Sequence, residues 1–531
     1  MSFQDKKIEA LFKAVVKPEA PGACLGILHD GQWAYKNSWG LTNLENPAPL
    51  TTRSIFNMGS LAKQFTACCI FQLQQQRKLS LEDEARKFIP ELPYYGRPLL
   101  LRHLLWHSSG LRCYSTLQDW AGAASWRDSS RRQALELVFR QKELNFPSGS
   151  ECLYSNSNYL LLSEIVQRVS GKSLQAFAAR HIFEPLGLKD THFREDGSAL
   201  IPNLVSGHFR RVDGTPGVSR GLGVVPGVGR LMSSLEDLGR WEQFFVKTPK
   251  ASVPILRGML TQGWLDNGQK LRFAGGLMLQ RYRGLNVQRH DGWSAGCRSE
   301  YCRFPDQAYT FICLSNHADL NATWMARQAA ALVFGRAMEP VSAFGPGQPA
   351  ALPAKHKMPR RQLREIQGLY RDVNTGAYVL LSATALGLDF ESTHVKFELR
   401  PESASAFQGQ GHAAIYRLDL ESEGGFILIK QGRASRFERV KGASGTGGKK
   451  METRLEGYAG RYASPELVAR VEIKIKGGKL HMLDLDGRQW PLTYVKAGHF
   501  FSAYRDFHFT KKGLTMQSSD GWVRRLKWVR L

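Results

Sequence analysis

The segment Thr52-Arg53-Ser54-Ile55-Phe56-Asn57-Met58-Gly59-Ser60-Leu61-Ala62-Lys63-Gln64-Phe65-Thr66-Ala67-Cys68-Cys69-Ile70 constrains the fold more than any other. An extended apolar stretch ends at Gly59, and from Ser60 onward Leu61, Phe65, Cys68 and Cys69 recur at near-helical spacing, so Ser60 opens a helix. The i, i+3 relation places the Lys63 ammonium on the face of the Ser60 hydroxyl, one turn along. A serine hydroxyl is a weak nucleophile at neutral pH and needs a proton acceptor beside it. A lysine can serve only if burial, here among Phe65, Ala67 and Ile70, disfavours its charged form; full burial can remove roughly 3–5 pKa units. The helix start adds free N–H groups and partial positive charge, which suit a developing oxyanion. The plain alternative is that Ser60 merely caps the helix while Lys63 points to water. Against it, this is the only Ser-x-x-Lys in the chain, and it has company downstream.

With 531 residues, 43% hydrophobic and 11% aromatic, the chain can bury two to four packed cores. Residues Met1 to Val16 mix charged and apolar types as an amphipathic helix does. No apolar h-region follows a basic start, and no run of about 18 apolar residues occurs, so neither a secretion signal nor a membrane span is expected. All eight cysteines fall within the first 313 residues, mostly in apolar surroundings and at spacings that match no zinc pattern. Free buried thiols fit a reducing cytoplasm better than a disulfide scaffold. A net charge of +25 invites a nucleic-acid reading, but Lys and Arg are scattered along the whole length and no nucleic-acid motif accompanies them.

Ala23 to His29 and Gln32 to Trp39 read as strands joined by an Asp30-Gly31 hairpin turn. Ser80 reads as a cap, and Leu99 to Gly110 as a short helix whose His103 and His107, four apart, are assigned a structural role. Phe146 to Asn158 leads from a turn through a short strand into a helix ended by Gly171. Gly221 to Gly229 is a loop, and Ser233-Ser234-Leu235-Glu236 has the capping-box form. Strands follow at Leu277 to Tyr282, Gly284 to His290 and Tyr309 to Leu314, then a helix over Ala322 to Phe334. Beyond a Pro-, Gly- and Ala-rich linker the pattern changes to short alternating strands, and a repeat emerges. Gly368-Leu369-Tyr370 recurs as Gly460-Arg461-Tyr462, and Arg436-Phe437-Glu438-Arg439-Val440 as Arg525-Leu526-Lys527-Trp528-Val529. Each copy reads as a small antiparallel β-barrel. The expected domains are 1–340, 360–441 and 451–531, with linkers 341–359 and 442–450.

Tyr154-Ser155-Asn156 lies just before a helix and His290-Asp291-Gly292 at a strand end. Ser-x-x-Lys, Tyr-x-Asn and basic-x-Gly, in that order, form the signature of the penicillin-recognising serine hydrolases. Tyr35-Lys36-Asn37 and His29-Asp30-Gly31 match the second and third motifs but precede the serine, in a hairpin. Residues 1 to 340, with Arg102 to Leu111, resemble the class C β-lactamase-like branch. This implies an α/β (α+β) β-lactamase/transpeptidase-like domain, its antiparallel sheet flanked by helices. The resemblance makes Ser60 the acylated nucleophile, Lys63 a proton acceptor and Tyr154 the general base and later acid. Asn156 would hold the substrate amide, and His290 would stabilise the Tyr–Lys network or the substrate's carboxyl end. Gly292 would admit substrate backbone, and the N–H groups of Ser60 and Trp293 would form the oxyanion hole, where losing one donor typically costs on the order of 3–4 kcal/mol.

Histidine in place of lysine in the third motif favours an aminopeptidase, amidase or esterase. With the two barrels, the nearer resemblance is to the D-stereospecific aminopeptidases. In that family a loop of the last barrel supplies an acidic residue for substrate recognition, here Asp486 or else Asp484, although a turn role serves either equally. A rival motif, Gly292-Trp293-Ser294-Ala295-Gly296, matches the nucleophile elbow of α/β-hydrolases, but Cys297 to Pro305 reads as strand and turn where a helix is required. The expectation is a cytoplasmic serine hydrolase needing neither metal nor cofactor. It would work through an acyl-enzyme on small peptides or amides and release N-terminal D-residues, with no nucleic-acid or membrane partner; a homodimer is admitted. Two alternatives stand beside it: an esterase or weak β-lactam hydrolase, and a catalytically silent peptidoglycan-fragment or penicillin-binding protein.

Overall fold

The computed structural model describes residues 3–121, 130–211, 215–219, 221, 225–248, 254–339, 356–373, 378–392, 396–411, 414–422, 424–430, 433–440, 455–484, 489–496, 498–502, 505–510, 512–518 and 521–531. The chain divides into two compact units: Met1–Ser115 with Ala124–Pro340, and Thr116–Ala123 with Val341–Leu531. Both expected linkers fall largely outside the described residues. Among the described residues no helix is long and apolar enough to cross a membrane.

The first unit is built on a six-stranded sheet in the order Gln32–Trp39, Ala23–His29, Tyr309–Ser315, Cys297–Phe304, Leu285–Ser294, Met278–Tyr282. Every neighbouring pair is antiparallel. Asp30 and Gly31 both take positive φ, 49° and 71°, as a two-residue hairpin turn requires. Ala23–His29 is apolar almost throughout because it lies inside the sheet with both faces covered. Leu25 and Ile27 pack with Ile8 and Phe12 of the amphipathic helix Phe3–Val15 and with Met325 and Ala329 of the helix Ala322–Phe334. The opposite face joins the larger core, where the helices Ala62–Gln75, Asn156–Ser170 and Leu235–Lys247 bury Phe65, Leu161, Ile165 and Trp241. Cys297–Phe304 is a strand, so the chain after Ser294 does not turn into the helix that a nucleophile elbow needs.

Three local expectations are corrected. Ser80 caps no helix: its Oγ accepts from the Glu82 N–H in a turn, and Asp83 Oδ2 accepts from the Ser80 N–H. The cap of Leu235–Lys247 is Ser234, whose Oγ accepts from the Asp237 N–H at 3.2 Å, one residue later than the expected Ser233–Glu236 box. Ser233 is drawn away by Thr191, whose Oγ1 lies 2.8 Å from its Oγ. The chain before Asn156 is extended but pairs with no strand, and it is tied by the Leu153 N–H to the His107 carbonyl at 2.9 Å.

In the second unit eight antiparallel strands between Gly368–Asp372 and Arg433–Arg439 close a barrel around Tyr370, Leu381, Phe390, Phe407, Leu418 and Phe426. The last nine strands form a sheet whose two ends, Gln489–Pro491 and Thr493–Lys496, are separated in sequence by Leu492 alone, so it is nearly closed. The repeat holds in detail. Tyr370 Oη donates to the Ile366 carbonyl and Tyr462 Oη to that of Tyr458, each four residues back. Tyr370 stands opposite Arg439 and Tyr462 opposite Arg530. The sequence alignment of the closing strands is therefore two residues out, since Arg439 corresponds to Arg530 and Phe437 to Trp528. An even slip leaves every side chain on its own face of the sheet, so the apolar pattern could not reveal it.

Candidate active site

Gly59–Leu61 forms a single tight turn that runs directly into the helix Ala62–Gln75, so Ser60 lies in the opening turn with Lys63 one turn further on. Two glycines let this turn press against the strand Leu285–Ser294. Gly59 has φ +53°, and a Cβ there would lie 2.6 Å from the Trp293 nitrogen; a Cβ on Gly292 would lie 2.0 Å from the Met58 carbonyl oxygen. Ser299 Oγ, on the next strand, donates to that same carbonyl at 2.8 Å and fixes the turn. Pairing with Met278–Tyr282 ends at Arg289, so from His290 to Ser294 this edge of the strand is free of that partner and meets the Met58–Gly59 turn instead. Main-chain N–H groups on such an edge, together with that of Ser60, are geometrically suited to an oxyanion. Trp293 is itself exposed, with the Arg298 guanidinium 4.7 Å from its ring centroid.

Two groups meet at the Ser60 hydroxyl, one from its own helix and one from a distant segment. Tyr154 Oη lies 2.8 Å from Ser60 Oγ, and Lys63 Nζ lies 3.1 Å from it. Lys63 Nζ also reaches Asn156 Oδ1 at 3.1 Å and the Val228 carbonyl at 2.9 Å. Asn156 Nδ2 donates to Ser115 Oγ at 3.3 Å, which agrees with its Oδ1 facing the lysine. Lys63 is fully buried, and burial brings its pKa down to about 7. The neutral amine has two N–H bonds and one lone pair. Val228 and Asn156 present oxygens that only accept, so both N–H bonds are committed to them. The lone pair is left for the one neighbour that carries a proton to give, Ser60. The buried phenol of Tyr154 is raised well above its ordinary value of 10, so it is protonated at rest and suits a proton donor rather than the resting general base expected of it.

His290 is buried, and its Nδ1 lies 2.6 Å from the Asp291 carbonyl. A carbonyl only accepts, so Nδ1 carries the hydrogen and Nε2 keeps a lone pair. Burial pushes the His290 pKa down to about 4, which leaves the ring neutral at physiological pH. It therefore supplies no cation for a substrate carboxylate. Beside it the Arg289 guanidinium binds Glu300 through Nε at 2.6 Å and Nη2 at 2.5 Å, reaches Asp291 at 2.9 Å, and shares Thr323 with Glu300. That buried pair stiffens the strand carrying His290 and Gly292.

Several contributors lie outside the three catalytic motifs. His107 takes φ +58°, rare for a residue with a side chain. Its Nδ1 accepts from the Ser155 N–H at 3.2 Å, and its ring packs 4.5 Å from that of Tyr154. It brackets the phenol from below. Val228, from the glycine-rich loop, and Ser115 likewise enter only through tertiary contact. His103 is structural: Nδ1 accepts from the Leu100 N–H at 3.2 Å. Asp486 lies outside the described residues; Asp484, the second choice, accepts from Trp490 Nε1 at 2.9 Å.

Comparison with known proteins agrees with this geometry. The family model Beta-lactamase matches residues 8–334. A D-aminopeptidase of Gluconobacter oxydans is 24% identical over 484 residues, 90% of this chain and 86% of that one. Among solved structures, the octameric penicillin-binding protein homologue from Pyrococcus abyssi aligns with a TM-score of 0.57 at 21% identity, covering 82% of this chain and all of that one. The D-amino acid amidase from Ochrobactrum anthropi SV3 aligns with a TM-score of 0.52 at 20% identity, over 62% of this chain and 98% of its own. With well over half of its length matched, and with the Ser60 hydroxyl within hydrogen-bonding distance of both Lys63 and Tyr154, the chain belongs to the beta-lactamase family.

Proposed function

We propose that the chain is a serine hydrolase that releases N-terminal D-amino acids from small peptides or amides through an acyl-enzyme. The observation that carries this reading is a Ser60 hydroxyl within hydrogen-bonding distance of both a protonated phenol and a lysine poised at about 7. Ser60 Oγ attacks the substrate carbonyl and its proton passes to the Lys63 lone pair. The oxyanion is held by the N–H groups of Ser60 and Trp293. Tyr154 gives its proton to the departing amine and is reprotonated from Lys63, leaving an ester on Ser60. Water then attacks that ester by the same relay in reverse. Asn156 has its amide oxygen on Lys63, which leaves its nitrogen side for Ser115 and the substrate. The neutral His290 supports an aminopeptidase or amidase over an enzyme that grips a carboxylate. The D-preference rests on the named D-aminopeptidase and D-amino acid amidase relatives. A cytoplasmic location is part of the proposal and is supported by eight free cysteines, seven of them buried.

The test is a panel of D- and L-alanyl p-nitroanilides with simple esters, run beside Ser60→Ala. Turnover of the D-anilide that disappears in the variant supports the reading, whereas equal turnover of both enantiomers, or of esters alone, sinks the D-amidase part of it.

A further inference from the structure

A second buried polar cluster lies in the last barrel, on the strands His499–Ser502 and Arg505–Thr510. His499 stands directly opposite His508 in the antiparallel register, and Asp506 lies two residues before His508, hence on the same face. The two imidazoles stack with their centroids 3.9 Å apart. One ligand atom from each of the three residues lies within 4.8 Å of the others.

The hydrogen bonding is what makes the cluster unusual. His499 is 4% exposed, yet neither of its ring nitrogens has a hydrogen-bond partner. Asp506 is 3% exposed, and its Oδ1 is likewise without one, although it lies 4.0 Å from His499 Nε2. Its other oxygen is held by Gln517 Nε2 at 3.2 Å. Burying an imidazole and a carboxylate oxygen without partners is unfavourable, and at 4.0 Å the two do not satisfy each other. A cation placed among them would accept a lone pair from each. Gln517 then takes the part that outer groups play around metals, fixing the orientation of a ligating carboxylate.

We propose that His499, Asp506 and His508 form a binding site for a divalent first-row transition metal, with zinc the best match to two imidazoles and one carboxylate. Bond lengths of about 2.1 Å in tetrahedral geometry set ligand atoms roughly 3.4 Å apart, so binding draws the three side chains inward by about 1 Å, within the soft torsional range of histidine and aspartate. Three protein ligands leave one position for water or an exogenous donor. The ion would tie together two neighbouring strands of the barrel.

The test uses the full-length protein, stripped with a chelator and titrated with zinc chloride by calorimetry and with cobalt chloride by visible absorption. One equivalent per chain is expected, with the cobalt bands of a nitrogen- and oxygen-ligated site. His499→Ala and Asp506→Asn should each weaken binding by at least tenfold, and Gln517→Leu by a smaller factor, while Ser60→Ala binds as wild type. Should His499→Ala fail to fold, His508→Gln serves in its place, with circular dichroism as the check. Absence of stoichiometric binding, or binding that survives all of these barrel substitutions unchanged, overturns the proposal.

Discussion

Two of the buried polar clusters of this chain, around Lys63 and around His499, differ in one respect that separates their chemistry. Around Lys63 every hydrogen-bonding position of the amine has a partner: Ser60, Asn156 and Val228. Around His499 and Asp506 three buried ring and carboxylate atoms have none. A completed network fixes a proton acceptor in one orientation, because each alternative leaves a buried group unpaired. An incomplete one has the form of a socket. The first arrangement suits proton transfer, and the second suits the binding of a cation.

The sharpest way to break this contrast is to remove the lysine. Lys63→Met should lower kcat/KM by roughly 10²–10⁴-fold, the usual range for a general base, as measured with D-alanyl p-nitroanilide. It should also strand Asn156 Oδ1 and the Val228 carbonyl, at about 1–3 kcal/mol per buried group in chemical denaturation. The pH profile is the next test. Lys63 accepts a proton only when neutral, so activity should climb as pH passes through about 7, and a rate flat between pH 5.5 and 8.5 would contradict that. The same shift acts on stability: the folded chain gives up this proton near 7, an unfolded one only near 10.5, so stability rises with pH across that window.

His107 tests how far the bracket under Tyr154 matters. His107→Leu removes the acceptor for the Ser155 N–H and places a branched side chain at positive φ, so kcat should fall about tenfold with KM little changed. His107→Asn, which tolerates that backbone and keeps an acceptor, should recover most of the loss. Smaller still are the paired tyrosines of the repeat. Tyr370→Phe and Tyr462→Phe should each cost about 1 kcal/mol, by similar amounts, since each deletes one hydrogen bond to a carbonyl four residues back. The smallest effect is expected at the socket itself. In chelated protein His499→Phe replaces an unbonded buried ring by an apolar one, so the unfolding midpoint should not fall, in contrast to Lys63→Met.

What could be read beforehand follows from what each feature depends on. Ser60, Lys63, Tyr154, Asn156 and His290 lie in short local patterns, and the Asp30-Gly31 hairpin and the Ala322–Phe334 helix rest on nearest-neighbour preferences. The barrels were visible as a repeat of alternating strands. Ser115 and Val228 leave no such mark, because each acts through a tertiary contact that no spacing encodes; His107 is marked only as half of a pair with His103, and its place beside Tyr154 depends on a positive φ that the sequence does not signal. The Ser233-to-Ser234 cap shift turned on competition from distant Thr191. The two-residue slip in the repeat left the inward and outward pattern intact. The trio of His499, Asp506 and His508 depends on which strand positions face each other, and cross-strand register is not written in either strand alone.

The most direct measurement is mass spectrometry of the protein after reaction with a fluorophosphonate, taken as a rate from pH 5.5 to 8.5. The expected result is a single adduct on Ser60, forming faster as Lys63 loses its proton near pH 7, and absent from Ser60→Ala. Labelling elsewhere, or an unlabelled Ser60 in active protein, would contradict the proton relay on which the reading rests.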